Sequence, residues 1–203
     1  MALVLDGNGT MTVGNGDITG LTTGALPSNV IGGGAVLQVV FAQKKDTQSI
    51  AHSAGITAIS GLSAAITPVS ASSRILVQAY IVAASTNGAC VASGILLYRN
   101  GSNIVESTGD AAGDRRRMWL RQDTYIGMSS LGSFNPDHGP NMLSGMYLDS
   151  PNTTSSTTYS LHFVPQDNTA LNFVINRSGA DSNTTGMWGS RCTSGLMLME
   201  ISG

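Results

Sequence analysis

Charge is what this chain most lacks. Asp, Glu, Lys and Arg make up 11 % of its 203 residues, against about 25 % in an ordinary soluble domain. Its surface must therefore be dressed largely in hydroxyls, amides and small apolar groups. Such a surface suits a chain that buries part of itself against copies or neighbours. The formal net charge of −2 offers no basic excess to hold a nucleic acid or an acidic membrane, so neither is expected as a partner. Long apolar runs are missing too, and no segment approaches the ~20 apolar residues of a membrane-spanning helix. The run Ala2 to Leu5 is too short for a secretory signal and has no basic flank, so none is expected. Cys90 and Cys192 are the only cysteines and stand in no metal-type spacing. Two thiols in a chain made in a reducing cytoplasm are favoured over a disulfide between them.

What the chain does have is glycine and turn chemistry. In residues 1–34 the near-repeats "LDGNG", "VGNG", "DITG" and "LTTG" return the chain every few residues. Gly and Asn-Gly permit the positive φ that tight turns need. This reads as an extended strand-and-turn arm, with Leu3, Leu5, Met11, Val13, Ile18 and Leu21 free to dock on something, and Gly32-Gly33-Gly34 as a hinge. From residue 35 the period becomes that of strands. The runs are "AVLQVVFAQ" (35–43), "ITAISGLSAAITP" (56–68), "RILVQAYIVAAS" (74–85), "CVASGILLYR" (90–99) and "NIVES". They continue with "RMWLRQDTYIGM" (117–128), "NMLSGMYLDS" (141–150), "TTYSLHFV" (157–164), "LNFVI" (171–175) and "GLMLMEI" (195–201). Asn100-Gly101 predicts a tight hairpin. In the second run Ile56, Ala58, Leu62, Ala64 and Ile66 are expected on one face. No segment reads as a capped helix, apart from a turn near Asp46–His52. Eight to ten strands at this spacing predict an all-β antiparallel sandwich of jelly-roll type over 35–203, preceded by the arm.

Catalytic patterns are thin. "GNGDITG" (14–20) misses the dinucleotide fingerprint by one residue, and no helix follows it to receive a pyrophosphate. Lys44 and Lys45, the only lysines, follow no phosphate loop. His162 sits in an alternating strand, with Tyr159, Leu161 and Phe163 on the opposite face. His138 has Asp137 beside it in a turn-rich loop, but no nucleophile accompanies the pair. His52 completes the histidines. "GDAAGD" (109–114) lacks the dense oxygen ligands of a calcium loop. No cofactor, metal or enzymatic activity is expected. The Asn-x-Ser/Thr triplets at Asn8, Asn100, Asn152, Asn176 and Asn183 read as accidents of composition.

The largest charge feature is Arg115-Arg116-Arg117 with Arg121. Ion pairing to Asp110, Asp114 and Asp123 at a sheet edge is favoured over a contact with an anionic sugar or an acidic neighbour. Two polar loops carry an aromatic ring, which in such a setting suits either the apolar C–H face of a sugar or a place tucked into its own loop or an inter-subunit seam. They are "LGSFNPDHGPN" (131–141), with Phe134 and His138, and "RSGADSNTTGMWGSRC" (177–192), with Trp188.

The opening "MALVLDGNGTMTVGNGDITGLTTGALPSNVI" resembles the start of small fibre-type virion proteins of tailed bacteriophages. "AVLQVV", "ITAISGLSAAITPVSASSRILVQAYI", "LLYRNGSNI" and the ending "TSGLMLMEISG" are similar to their middle and end. The resemblance implies a homotrimeric virion protein assembled in the host cytoplasm. Residues 1–34 would anchor it to other virion proteins of baseplate, tail or capsid. Its head would adsorb to host-surface polysaccharide, with Trp188, Phe134 and His138 as candidate receptor contacts. The alternative is a capsid-bound fibre or decoration protein with a purely structural role. A depolymerase ranks last, since paired carboxylates are wanting.

Overall fold

The computed structural model describes residues 4–5, 11–12, 34–86, 93–122, 140–166 and 171–203. The chain divides into two units, Met1–Gly32 and Gly33–Gly203. In the first, β1 (Val4–Leu5) pairs antiparallel with β2 (Met11–Thr12), Leu5 opposite Met11. Leu3, Val13, Ile18 and Leu21 lie outside the described residues.

The second unit is all-β and antiparallel, a sandwich of two sheets. One sheet holds β3 (Val36–Lys44), β4 (Gln48–Ala51), β6 (Arg74–Ser85), β10 (Asn141–Asp149), β12 (Asn172–Ile175) and β13 (Ser194–Ile201). The other holds β5 (Thr57–Ile66), β7 (Ser93–Arg99), β8 (Ser102–Asn103), β9 (Leu120–Gln122) and β11 (Thr157–Pro165). In the six-stranded sheet β6 is central. One edge pairs with β10, and the other pairs first with β13 and then with β12. β3 lies outside β13, and β4 outside β12. The second sheet runs β5-β11-β7, and β7 also pairs with β8 and β9.

Period-two sequence makes this fold, because alternate side chains of a strand point to opposite faces. Ile75, Val77, Ala79, Ile81 and Ala83 of β6 point inward and are buried. They meet Tyr159, Leu161 and Phe163 of β11 and Ile95 and Leu97 of β7 in one core. Phe163 stacks on Phe173 at 4.6 Å between ring centroids, and His52 meets Phe163 edge-on at 5.2 Å. Burying each large apolar side chain contributes roughly 1.5–3 kcal/mol, more than the few tenths that strand propensity alone supplies at a position. Inward spacing therefore decides the strands.

Polar groups close the core's rim. Asp149 at the end of β10 accepts both oxygens' worth of hydrogen bonds from Arg99 Nη1 at 2.7 Å and one from the Tyr159 hydroxyl. Because Arg99 and Tyr159 belong to the other sheet, this partly buried cluster ties the two layers together. Burial and the bond to Asp149 push the Tyr159 hydroxyl's pKa up. Glu200 is fully buried. Burial alone would raise its pKa, but hydrogen bonds from the Gln38 side chain and the Val69 backbone N–H outweigh it and hold the carboxyl below its ordinary value. The Lys44 side chain is fully buried, its Nζ donating to Asp46 Oδ2 at 2.8 Å and to Ser60 Oγ at 3.1 Å.

Several expectations are corrected. Ile56 and Ala58 are exposed, and Ile59 takes the inward position with Leu62, Ala64 and Ile66. The cause is an irregularity opposite β11: Ser160 pairs with Ser63, but His162 pairs with Ala58. Extra β5 residues reverse the alternation there, and Gly61 at φ +77° accommodates the kink. The expected turn near Asp46–His52 contains a strand, β4, before the 3-10 turn His52–Ala54. β9 covers only Leu120–Gln122 of the expected 117–128 run, whose residues 123–128 lie outside the described residues. The Asn100-Gly101 hairpin is present, with φ values of 49° and 81° that suit a type I′ turn.

Candidate functional site

No three His, Cys, Asp or Glu residues come together as a metal-binding group among the described residues. The feature that stands out is instead the outer face of the six-stranded sheet. Its register sets side chains in cross-strand rows over β3, β13, β6 and β10. One row is Gln43, Gly195, Tyr80 and Ser144. The next is Phe41, Met197, Gln78 and Met146, and the third is Val39, Met199, Leu76 and Leu148. Val82 opposite Met142 extends the face at one end, and Ile201 opposite Val36 at the other. None of the three rows contains a charged residue.

This face is open. Met142 is 68 % exposed, Met146 65 %, Val39 54 % and Phe41 51 %. Four strands at about 4.8 Å and three rows at about 6.8 Å span roughly 19 by 20 Å, or about 400 Å². That lies within the range for the largest apolar patch of a monomer, about 300–600 Å². It is also about half of the ~800 Å² each partner gives to a standard interface. At its centre Gly195 lies under two rings: a Cβ there would stand 2.7 Å from Tyr80 Cε1 and 2.8 Å from the Phe41 ring. Glycine lets both aromatics lie down over β13. The four methionines add flexible, polarisable side chains that adapt to a partner's shape.

The other outer face, on β5, β11 and β7, is built differently. Its residues include Ser63, Ala65, Thr158, Ser160, His162 and Tyr98. His162 stacks on Tyr98 at 3.8 Å and makes a 3.2 Å hydrogen bond with Ser160 Oγ. Its position opposite Tyr159, Leu161 and Phe163 is as the alternation predicts. Partial burial lowers its pKa.

Of the expected receptor residues, Phe134 and His138 lie outside the described residues. Trp188 falls in a 3-10 turn, Met187–Gly189. Its loop is internally braced. Asp181 pairs with both Arg177 and Arg191, and Cys192 N–H donates to Asn176 O at 3.0 Å. A Cβ at Gly189 would come within 2.6 Å of Ser182 O, so the chain folds tightly back on itself there. Cys192 is a free thiol, and Cys90 lies outside the described residues. Asn176 is fully buried: it donates to the Lys44 and Asp46 carbonyls and accepts from Ser194 Oγ. It is a structural clamp, closed to glycosylation.

The arginine run also departs from expectation. Residues 115–117 are not in a strand, and none of the three pairs with Asp110 or Asp114. They donate instead to backbone carbonyls: Arg115 to Ala112, Arg116 to Pro165 and Gln166, Arg117 to Gly109 and Val105. Asp123 lies outside the described residues.

The run "AVLQVVFA" is expected to need cover, but the joining of β13, β6 and β10 to it in one face is not legible in sequence, because strands apolar on both sides read as buried on both sides. No protein-family model matches the chain, and no curated protein matches it.

Proposed function

We propose that the chain is a fibre-type virion protein of a tailed bacteriophage. Its β-sandwich head assembles as a homotrimer, residues 1–34 attach it to other virion proteins, and the head adsorbs to host-surface polysaccharide. The observation that carries the reading is the uncharged apolar outer face of β3, β13, β6 and β10. A chain with so few charges and so wide an apolar sheet face is made to be covered.

Geometry favours three copies. Packed sheets lie about 10 Å apart, so each stands about 5 Å from the midplane between them. Three faces each about 19 Å wide, closed as a triangular prism, would each stand about 5.5 Å from the shared axis. Those distances agree, so three copies fill the prism with the side chains already present. The polar outer face then turns to solvent, as does the loop 177–192. The phage assignment itself rests on the resemblance of the opening and closing phrases.

Light scattering on the full chain tests the reading, which expects about three chains per particle, a closed cyclic assembly. A monodisperse monomer at micromolar concentration overturns it. Antibody labelling of phage particles that carry the protein should mark the tail. Labelling of the shell would make it a decoration protein instead.

A further inference from the structure

A second surface is independent of the assembly face, because it lies on the other sheet. Where β7, β9 and the end of β11 meet the 108–119 connection, a cavity of about 650 Å³ opens. Its wall includes three guanidinium side chains, Arg115, Arg116 and Arg121, and its lining includes no acidic side chain among the described residues. In a chain of net charge −2, the charges of Arg115 and Arg116, held at one concavity by neutral carbonyls, focus an anion-attracting field.

The cavity is also built. Its lining also includes Met118 and the nearly buried Val164. Met118 reaches that place only because residue 94 is glycine: a Cβ there would stand 2.3 Å from Met118 Sδ. On the rim, Arg116 Nη1 donates to Pro165 O at 2.9 Å and to Gln166 O at 3.1 Å, and Arg115 Nη1 donates to Ala112 O at 3.1 Å. Neutral carbonyls orient these guanidiniums without cancelling their charge, and each keeps further N–H donors. No ion pair among the described residues uses Arg115 or Arg116.

We infer that this cavity binds the acidic sugar of an anionic polysaccharide. The class follows from the parts. A guanidinium fork matches a carboxylate in two parallel hydrogen bonds. An apolar lining beside it suits the C–H face of a pyranose ring. A concavity of this volume is ordinary for a small ligand, within about 300–1,000 Å³. A single-stranded nucleic acid would want aromatic rings on which to stack its bases, and the lining has none among the described residues. The inference deepens the adsorption part of the proposed function by naming the chemistry recognised, and it stands whether or not the head is a trimer.

The test is calorimetric titration of the full chain with trigalacturonic acid and with the neutral galactotriose, at low and at high salt. The uronate should bind saturably and more weakly at high salt, and the neutral sugar should not bind. R116A should weaken uronate binding at least about tenfold, the equivalent of one lost charged hydrogen bond. R115Q, which removes charge without touching the 165–166 carbonyls, should weaken it while circular dichroism stays unchanged. Light scattering on every variant reads assembly separately. The monomeric variant M197E should still bind the uronate, so failure of the trimer and failure of the cavity give different results. No saturable uronate binding, equal binding of the neutral sugar, or full competition by equimolar inorganic phosphate would each overturn the inference.

Discussion

The two outer faces of this sandwich are made by the same device and reach opposite results. Both are the odd or even half of strands whose other half fills one core. On β3, β13, β6 and β10 that half is mainly Val, Phe, Met, Leu and Tyr, with Gln43, Gln78, Ser144 and Gly195 among them. On β5, β11 and β7 it is largely Ser, Thr, His and Tyr. Core formation requires neither choice, since the inward half is apolar in both sheets. The outward residues are therefore where the sequence was free to specify company. One face is largely apolar and the other largely polar.

The sharpest way to break this contrast is to place one charge on each face. Met197→Glu, in the middle row of the apolar face, should break the proposed trimer into monomers by light scattering, with far-ultraviolet circular dichroism unchanged. Ser160→Glu, on the polar face, should leave the mass unchanged. If both variants keep the parent mass, the apolar face is not the interface.

A large effect on stability is expected where the two sheets are joined. Asp149→Ala removes the acceptor for Arg99 and Tyr159 and leaves a charge beside the core without its partner. Because Arg99 is partly exposed, urea unfolding should show a loss of about 2–3 kcal/mol. Tyr159→Phe removes only one hydrogen bond and should cost about 1 kcal/mol. A loss below that for Asp149→Ala would mean that packing alone holds the layers.

Gly195→Ala is subtler. The new methyl would meet the Tyr80 and Phe41 rings, and forcing them aside should cost about 1–3 kcal/mol. Because those rings belong to the apolar face, trimer dissociation on dilution should rise together with the loss in stability. A stability loss with assembly untouched would separate the aromatic pair from the interface.

The smallest expected effect distinguishes the faces by pH. Burial lowers the His162 pKa, so the folded protein disfavours the charged ring. Stability from the neutral ring is present above the unfolded value, about 6.5, and fades as pH falls through it. His162→Gln should flatten that part of the profile. The three rows of the apolar face hold no carboxylate or imidazole, so the same substitution should leave assembly alone. Stability that rises for the parent relative to the variant on acidification would reverse the sign and refute the argument.

Most of the fold was legible because inward spacing carries the largest energy. The run 74–85 matches β6 end to end, and 157–164 and 195–201 come within a residue of β11 and β13. β4 escaped notice because Ile50 is its single large apolar residue, and four positions carry too little periodicity. Ile56 and Ala58 were misplaced because alternation counts from a fixed phase, and the irregularity before Ser63 resets it. The apolar face shows the opposite limit. "AVLQVVFAQ" announces a strand, but hydrophobicity alone does not say whether a second face is covered by its own chain or by another. The carbonyl partners of the arginines were out of reach for a related reason: backbone acceptors leave no mark on side-chain composition.

The buried Lys44 has a consequence for chemical modification. The chain carries two lysines, and the first has its side chain sealed from solvent with Nζ held between Asp46 and Ser60. An amine-directed reagent needs an accessible, deprotonated nitrogen, and Lys44 offers no access. Lys45, exposed just beyond β3, is left as the reactive lysine. Acylation of the native protein should therefore modify that side chain and spare its neighbour, although the two are adjacent. A dye placed at Lys45 would sit at the edge of the apolar face, where mixing donor-labelled and acceptor-labelled chains would report subunit exchange by energy transfer.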